Sequence, residues 1–278
     1  MNFTKMHGAG NDYIYINGFE QTIEDPSRVS EIVSDRHFGI GGDGVVMILP
    51  SEIADARMRM FNADGSEGEM CGNAIRCVGK FLYDNDICKK NNISIETLAG
   101  IKYLEMTVTD GIATHALVDM GIANFNAQEI PITSDSVEFI DQTVTILGEE
   151  YVGTGVSMGN PHFVVIVDDT ASLDLPKIGP LFENHELFPK RINTEFVEII
   201  DETTVRMRVW ERGSGETLAC GTGSCATVAA LVKKGLLKFD TDNTVKLLGG
   251  ELVINIKSDY RVFMSGSATK VFEGFMEV

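Results

Sequence analysis

The sequence has no apolar run long enough to span a bilayer, and its first residues, MNFTKMHGAGNDYIYING, lack the apolar core of a signal peptide. No membrane partner is therefore expected, and a cytoplasmic location is. Cysteine is scarce and odd in number, at 71, 77, 88, 220 and 225; in a reducing compartment that argues against a disulfide framework and leaves five thiols. Basic residues are also few, with 23 Lys and Arg against 41 Asp and Glu and a net charge of −18. Without a basic cluster that balance repels phosphate backbones, so no nucleic-acid partner is expected.

Two kinds of cofactor signal are missing as well. Cys71 and Cys77, like Cys220 and Cys225, have too many residues between them for a zinc knuckle, and no histidine is close by in sequence, so no metal is expected. GIGGDG at Gly39 to Gly44 satisfies the dinucleotide pattern G-x-G-x-x-G, but in the wrong order: the helical-looking PSRVSEIVSDRHF precedes it and the strand-like VVMILP follows. It reads as a glycine-rich turn. Neither a Schiff-base lysine nor a phosphate cradle for pyridoxal phosphate stands out, and the expectation is no cofactor.

What the sequence does contain is a duplication. Its 278 residues, 44% hydrophobic and 23% charged with 28 glycines, fit an ordinary globular chain of two domains. Slid by 149 residues, RMRMF (Arg57 to Phe61) falls on RMRVW (Arg206 to Trp210), Glu67 on Glu216, Cys71 on Cys220, Gly72 on Gly221 and Leu82 on Leu231. Over those 26 gapless positions seven are identical, where chance gives roughly one or two. Gly10-Asn11 falls on Gly159-Asn160 at the same offset. Period-two strands such as YIYIN, FVVIVD, TVRMRVW and ELVINIK recur in both halves, and a helically spaced apolar run follows each Cys-Gly. The expected domains are residues 1–118, completed by the last strand at about 264–278, and residues 119–263.

A cysteine at a helix start feels partial positive charge and unpaired N–H groups, which stabilise its thiolate. The same groups suit a carboxylate. Two such cysteines facing one small carboxylate-bearing ligand, one sulfur on each side of its α-carbon, would invert a stereocentre: one thiolate removes the α-proton and the opposite thiol returns one to the other face. A cysteine hydrolase would not explain the second copy. Cys77, Cys88 and Cys225 break the duplication and read as packing residues.

MHGAGNDYI, RHFGIGGDG, FNADGSEGEMCGNAIRC, GNPHFV, RINTEFVEI and WERGSGETLACGTGSCA together resemble the diaminopimelate epimerases, cofactor-independent enzymes that interconvert LL- and meso-diaminopimelate on the way to lysine and cell-wall precursors. The resemblance runs over essentially the whole chain. It implies an α/β (α+β) fold of two similar, pseudo-two-fold-related domains, each a strongly curved, mainly antiparallel sheet around a central helix, with the active site in the cleft. It implies a small amino-acid substrate, Cys71 and Cys220 as the two bases, and an α-carboxylate held by backbone N–H groups of Gly72, Asn73, Gly221 and Thr222. The distal amino-acid head falls to Asn11, Asn62, Asn160, Asn193, Glu211 and Arg212, of which Arg212 suits a carboxylate and Glu211 an ammonium. His162 and Glu211 would support thiol protonation, and a homodimer is the expected assembly.

One departure stands out: many members have a pocket-lining Gln where this chain has Gly44. His7, His37, His115 and His185 receive no role. Two other readings compete, a related racemase of another amino acid such as histidine, and a non-catalytic amino-acid-binding protein.

Overall fold

A computed structural model describes residues 1–278. The architecture is mixed α/β, mostly strand with four helices. The chain divides into two compact units, Met1–Asp119 with Ser265–Val278, and Met120–Met264.

The first unit runs β1 (Asn2–Gly8), β2 (Asn11–Asn17), α1 (Pro26–Val33), β3 (Gly44–Leu49), β4 (Ala56–Asn62), β5 (Glu67–Gly68), α2 (Gly72–Asp84), β6 (Asn92–Thr97), β7 (Gly100–Thr109) and β8 (Ile112–Ile122). β1 pairs antiparallel with β2, and β2 parallel with β3 across α1. β3 and β4 are antiparallel; β4 then meets the short β5 and, in parallel, β6, which continues antiparallel into β7 and β8. α2 packs on β1, β2 and β7. Strands from well-separated places in the order touch one helix, so the sheet curls around it.

The second unit runs β9 (Gln142–Ile146), β10 (Glu149–Ser157), β11 (Pro161–Ile166), α3 (Leu175–Glu183), β12 (Asn193–Ile199), β13 (Thr204–Glu211), β14 (Gly215–Thr217), α4 (Gly221–Lys233), β15 (Asp242–Leu247), β16 (Gly250–Ile256) and β17 (Arg261–Ser267). Its pairing repeats the first: β10 antiparallel to β11, β11 parallel to β12 across α3, β12 antiparallel to β13, and β13 parallel to β15. α4 packs on β10, β11, β12 and β16. The 149-residue offset carries Gly72–Asp84 onto Gly221–Lys233 without a shift at either end. The chain ends in β18 (Thr269–Phe275), antiparallel to β1.

The strands beside each central helix are covered on both faces, and their sequences show it. β2 buries Tyr13, Ile14, Tyr15 and Ile16 in succession, as a strand between two layers must. Side chains alternate faces along a strand. Ile14 and Ile16 join Val33 of α1 in one core, while the hydroxyl of Tyr15 donates to the Ala74 carbonyl of α2. In the second unit Phe163 of β11 and Phe196 of β12 enter a core with Leu175, Ile178 and Phe182 of α3. His162 and Val164, and Asn193, Glu195 and Val197, therefore face the other way, toward α4.

α3 carries two prolines, Pro176 and Pro180. Pro176 lies in the first turn, where no N–H is needed. Pro180 is a true interior proline, tolerated in a helix whose Leu175, Ile178 and Phe182 form one buried stripe. α2 and α4 both begin on a cysteine in extended conformation, with φ −131° and ψ 122° at Cys71 and φ −123° and ψ 112° at Cys220.

Cys77 lies inside α2 and is fully buried. Burial pushes its thiol up to about 11 from an ordinary value of 9.0. The unfolded chain then releases this proton first, so the native state loses stability as pH rises from about 9 to about 11, by about 2–3 kcal/mol. Urea unfolding across that range should show a shallower alkaline loss in Cys77→Ala than in the parent chain; equal slopes would exclude Cys77 as the source.

Candidate active site

Each cysteine occupies the N-cap of its helix and uses its sulfur as the capping acceptor. The Ala74 N–H donates to Cys71 Sγ at 3.5 Å, and the Gly223 N–H to Cys220 Sγ at 3.3 Å. Gly72 and Asn73, and Gly221 and Thr222, are the first two residues of the two helices, where backbone N–H groups point out of the helix start. All five cysteines are thiols.

Around Cys71 the hydrogen bonds lead away from the sulfur. Its Sγ donates to Asn11 Oδ1 at 3.3 Å, and Asn11 Nδ2 donates to Asp43 Oδ2 at 2.6 Å. Asp43 comes from the glycine-rich turn between α1 and β3, and Arg36 clamps it to Asp12 with contacts of 2.9 and 2.7 Å. Lys5 reaches Asp12 at 2.7 Å and also donates to the Gly41 carbonyl. Burial alone would raise the Asp12 carboxyl, but the bonds from Arg36 and Lys5 outweigh it and hold it below its usual range. Asp43 goes the other way, raised by burial and by the neighbouring Asp12 charge. Asn62 stands apart from this chain; its Nδ2 donates to Ser66 Oγ in the turn after β4.

Gly44 opposes Asn62 across the β3–β4 pair. A Cβ there would stand 2.0 Å from the Phe61 carbonyl oxygen. Any side chain at this position, the glutamine that the resemblance leads one to expect included, has no room unless the two strands move apart.

Around Cys220 the side chains come from the α4-facing positions of three strands. His162 Nδ1 lies 2.7 Å from Glu195 Oε1, and His162 Nε2 lies 3.0 Å from Asn160 Oδ1. Asn160 Nδ2 donates to Thr222 Oγ1 at 3.3 Å, and Thr222 Oγ1 is 3.6 Å from Cys220 Sγ. Glu211 receives a hydrogen bond from Thr217 and is raised by burial above its usual range. Burial first, then the charges of Glu211 and Glu195, push the Cys220 thiol well above its ordinary value. Thr222 and Gly223 oppose that rise as donors to the sulfur.

Asn193 and Arg212 form a separate pair. Asn193 Nδ2 donates to the Pro161 carbonyl at 2.8 Å, and its Oδ1 accepts from the Arg212 N–H at 2.9 Å. The Arg212 guanidinium is exposed apart from one bond to the Lys190 carbonyl at 3.2 Å. Of the expected residues, then, Asn11 gathers at Cys71, while Asn160, His162, Glu211 and Thr222 gather at Cys220. Asp43 and Glu195 were missed by sequence reasoning. Glu195 carried a readable signal: it lies two residues after Asn193 in RINTEFVEI, on the inward face of a strand with apolar neighbours. His37 and His115 are exposed, and the ring nitrogens of His7 and His185 accept from nearby turn N–H groups.

The family model described as diaminopimelate epimerase matches residues 3–126 and 154–271. The chain belongs to the diaminopimelate epimerase family. It is 57% identical to the diaminopimelate epimerase of Methanococcus maripaludis, covering 100% of both chains, and 58% identical to that of Acetivibrio thermocellus, covering 100% of this chain and 99% of that one. Among solved structures, a phenazine biosynthesis protein of the PhzF family from Bacillus anthracis aligns with a TM-score of 0.73 at 18% identity, covering 100% of this chain and 99% of that one. A hydroxyproline epimerase from Agrobacterium vitis aligns with a TM-score of 0.71 at 14% identity, covering 99% and 90%. At those identities the likeness is one of fold.

Proposed function

We propose that the chain is a diaminopimelate epimerase that interconverts the LL and meso forms with Cys71 and Cys220 as its two acid–base groups. The observation that carries this reading is the matched pair of N-cap cysteines at equivalent positions of a duplicated fold, in a chain more than half identical to named diaminopimelate epimerases. The thiolate of one cysteine takes the α-proton; the thiol of the other gives its proton to the opposite face of the same carbon. One C–H bond breaks and one forms, so the step balances without an oxidant or reductant.

Negative charge that develops on the substrate carboxylate falls to the N–H groups of Gly72, Asn73, Gly221 and Thr222, where two helix starts favour it. Asn11, Asn62, Asn160, Asn193, Glu211 and Arg212 read the distal amino-acid head. The raised Cys220 thiol suits the proton-donating role in the resting enzyme, with His162 and Glu211 supporting its protonation. We place the reaction in the cytoplasm, where reduced thiols persist.

Cys71→Ala and Cys220→Ala each remove a helix cap, a loss of about 1 kcal/mol, small against the 5–15 kcal/mol that folded domains hold. Both variants should keep the fold by circular dichroism and lose diaminopimelate turnover. Near-parental rates in either would reject the two-base assignment. In deuterium oxide the parent chain should exchange the α-hydrogen of diaminopimelate, whereas a binding protein would bind without exchange.

Arg212→Ala should raise KM for diaminopimelate by about a hundredfold, the loss of one bidentate charged contact of roughly 3 kcal/mol. It should leave exchange on a short amino acid little changed; an equal effect on both substrates would point to a racemase of another amino acid. The assembly we propose is a homodimer, which sedimentation velocity would report as twice the 30.4 kDa chain mass; a species of single chain mass at micromolar concentration would exclude it.

A further inference from the structure

Glu195 and His162 are both completely buried. Glu195 Oε1 meets His162 Nδ1 at 2.7 Å, while Oε2 has no hydrogen-bond partner. A lone carboxylate in such a place is costly unless a cation and favourable dipoles accompany it. Both are at hand. The carboxylate lies against the first turn of α4, where a Cβ at Gly223 would stand 2.6 Å from Oε1; a glycine there leaves room for the oxygen at the positive end of the helix.

The cation is written in the geometry of the neighbouring amide. Asn160 Nδ2 donates to Thr222 Oγ1, so Asn160 Oδ1 is the atom turned to His162 Nε2. An oxygen faces each ring nitrogen, which is the setting of an imidazolium that donates to both. With the Thr222 hydroxyl as donor to Cys220 Sγ, donors run in one direction, from His162 to Asn160, from Asn160 to Thr222 and from Thr222 to the sulfur.

The first unit has nothing equivalent. The 149-residue offset sets Val46 against Glu195, Tyr13 against His162 and Ala74 against Gly223. There the chain from Cys71 runs outward, through Asn11 to Asp43.

We propose that Glu195 is a positioning residue for Cys220: it keeps His162 doubly protonated, and that cation directs the hydrogen bonds of Asn160 and Thr222 toward the sulfur. The two thiols of a duplicated fold thereby sit in unequal settings: Cys220 lies at the end of the His162–Asn160–Thr222 chain, whereas Cys71 gives its proton to Asn11. This rests on the reading of Cys220 as an acid–base group. The charged groups that act on Cys220 are Glu211 from β13 and Glu195 from β12; His162 from β11 contacts Glu195 and acts on Glu211, and it alone can balance the two carboxylates.

The test is the ring itself. Long-range proton–nitrogen correlation spectra of uniformly nitrogen-15-labelled protein, with His162 identified by its absence in His162→Asn, should show protons on both of its nitrogens at pH 7. Glu195→Gln should give a neutral ring with one. For diaminopimelate, Glu195→Gln should lower kcat roughly tenfold to a hundredfold, the scale of losing a hydrogen bond between charged groups, with KM within about twofold, and Glu195→Asp should restore part of the loss.

A neutral His162 in the parent chain overturns the proposal, as does a ring whose protonation ignores Glu195→Gln, or an unchanged kcat. If Glu195→Gln does not fold, the parental spectrum decides alone. Because the spectrum needs no turnover, failure of the epimerase reading appears separately, as absence of α-deuterium exchange by the parent chain.

Discussion

A sulfur at the N-cap of a buried helix is the constraint on which the rest of the structure depends. Neutral thiol sulfur is a weak acceptor, so as a cap it does less than the oxygen of serine or aspartate would. Ionisation changes that. The same N–H that caps the helix becomes a charge-assisted donor to the thiolate, and part of the cost of charging a buried sulfur is offset by a better helix start. In the two-base reading proposed above, structure and acid–base chemistry draw on one set of donors, at Ala74 in one helix and Gly223 in the other.

The duplicated backbone repeats more faithfully than the side chains it carries. Pairing, parallel crossovers and helix limits all recur at one offset, and so does the asparagine next to each thiol, Asn11 and Asn160. What orients each asparagine does not recur. Asp43 takes the amide N–H₂ of Asn11 and so turns its oxygen to Cys71, whereas His162 takes the oxygen of Asn160 and so turns its nitrogen toward Thr222. A different partner for each amide turns the two asparagines in opposite senses. A substrate with one reacting centre and one spectator head gives such asymmetry a purpose, since the pocket wall around it need not be symmetric even where the chemistry is.

Most of the architecture was legible because it follows from two periodicities. The 149-residue repeat predicted two like units, and alternation of two marked strands in both. α3 went unread; it holds two prolines, whose tolerance depends on Leu175, Ile178 and Phe182 finding Phe163 and Phe196 across the core, and no local signal contains that contact. The cysteines, Asn11, Asn160 and His162 could be picked out by motif. Asp43 could not, because within GIGGDG it looked like part of a turn, and its role appears only when Arg36 and Lys5 fold over the same loop. Glu195 sat in an unremarkable strand sequence, and its meaning depends on a glycine 28 residues later, at 223.

Two-sided burial of the strands explains why the polar residues of the site occur tethered to one another. A polar side chain on the helix-facing surface of β11, β12 or β13 has no water to turn to, so it must find a partner or lose several kcal/mol. Asn193 meets this by bridging the Pro161 carbonyl and the Arg212 N–H, and Glu211 by accepting from Thr217. Such bonds fix the side chains before any ligand arrives. Pre-arranged dipoles need no reorganisation when charge develops, which is where most electrostatic stabilisation of a transition state originates. Glu195 Oε2, left without a hydrogen-bond partner, shows how far the packing has been carried: the fold accepts a buried orphan acceptor in order to hold the other oxygen of the same carboxylate on His162.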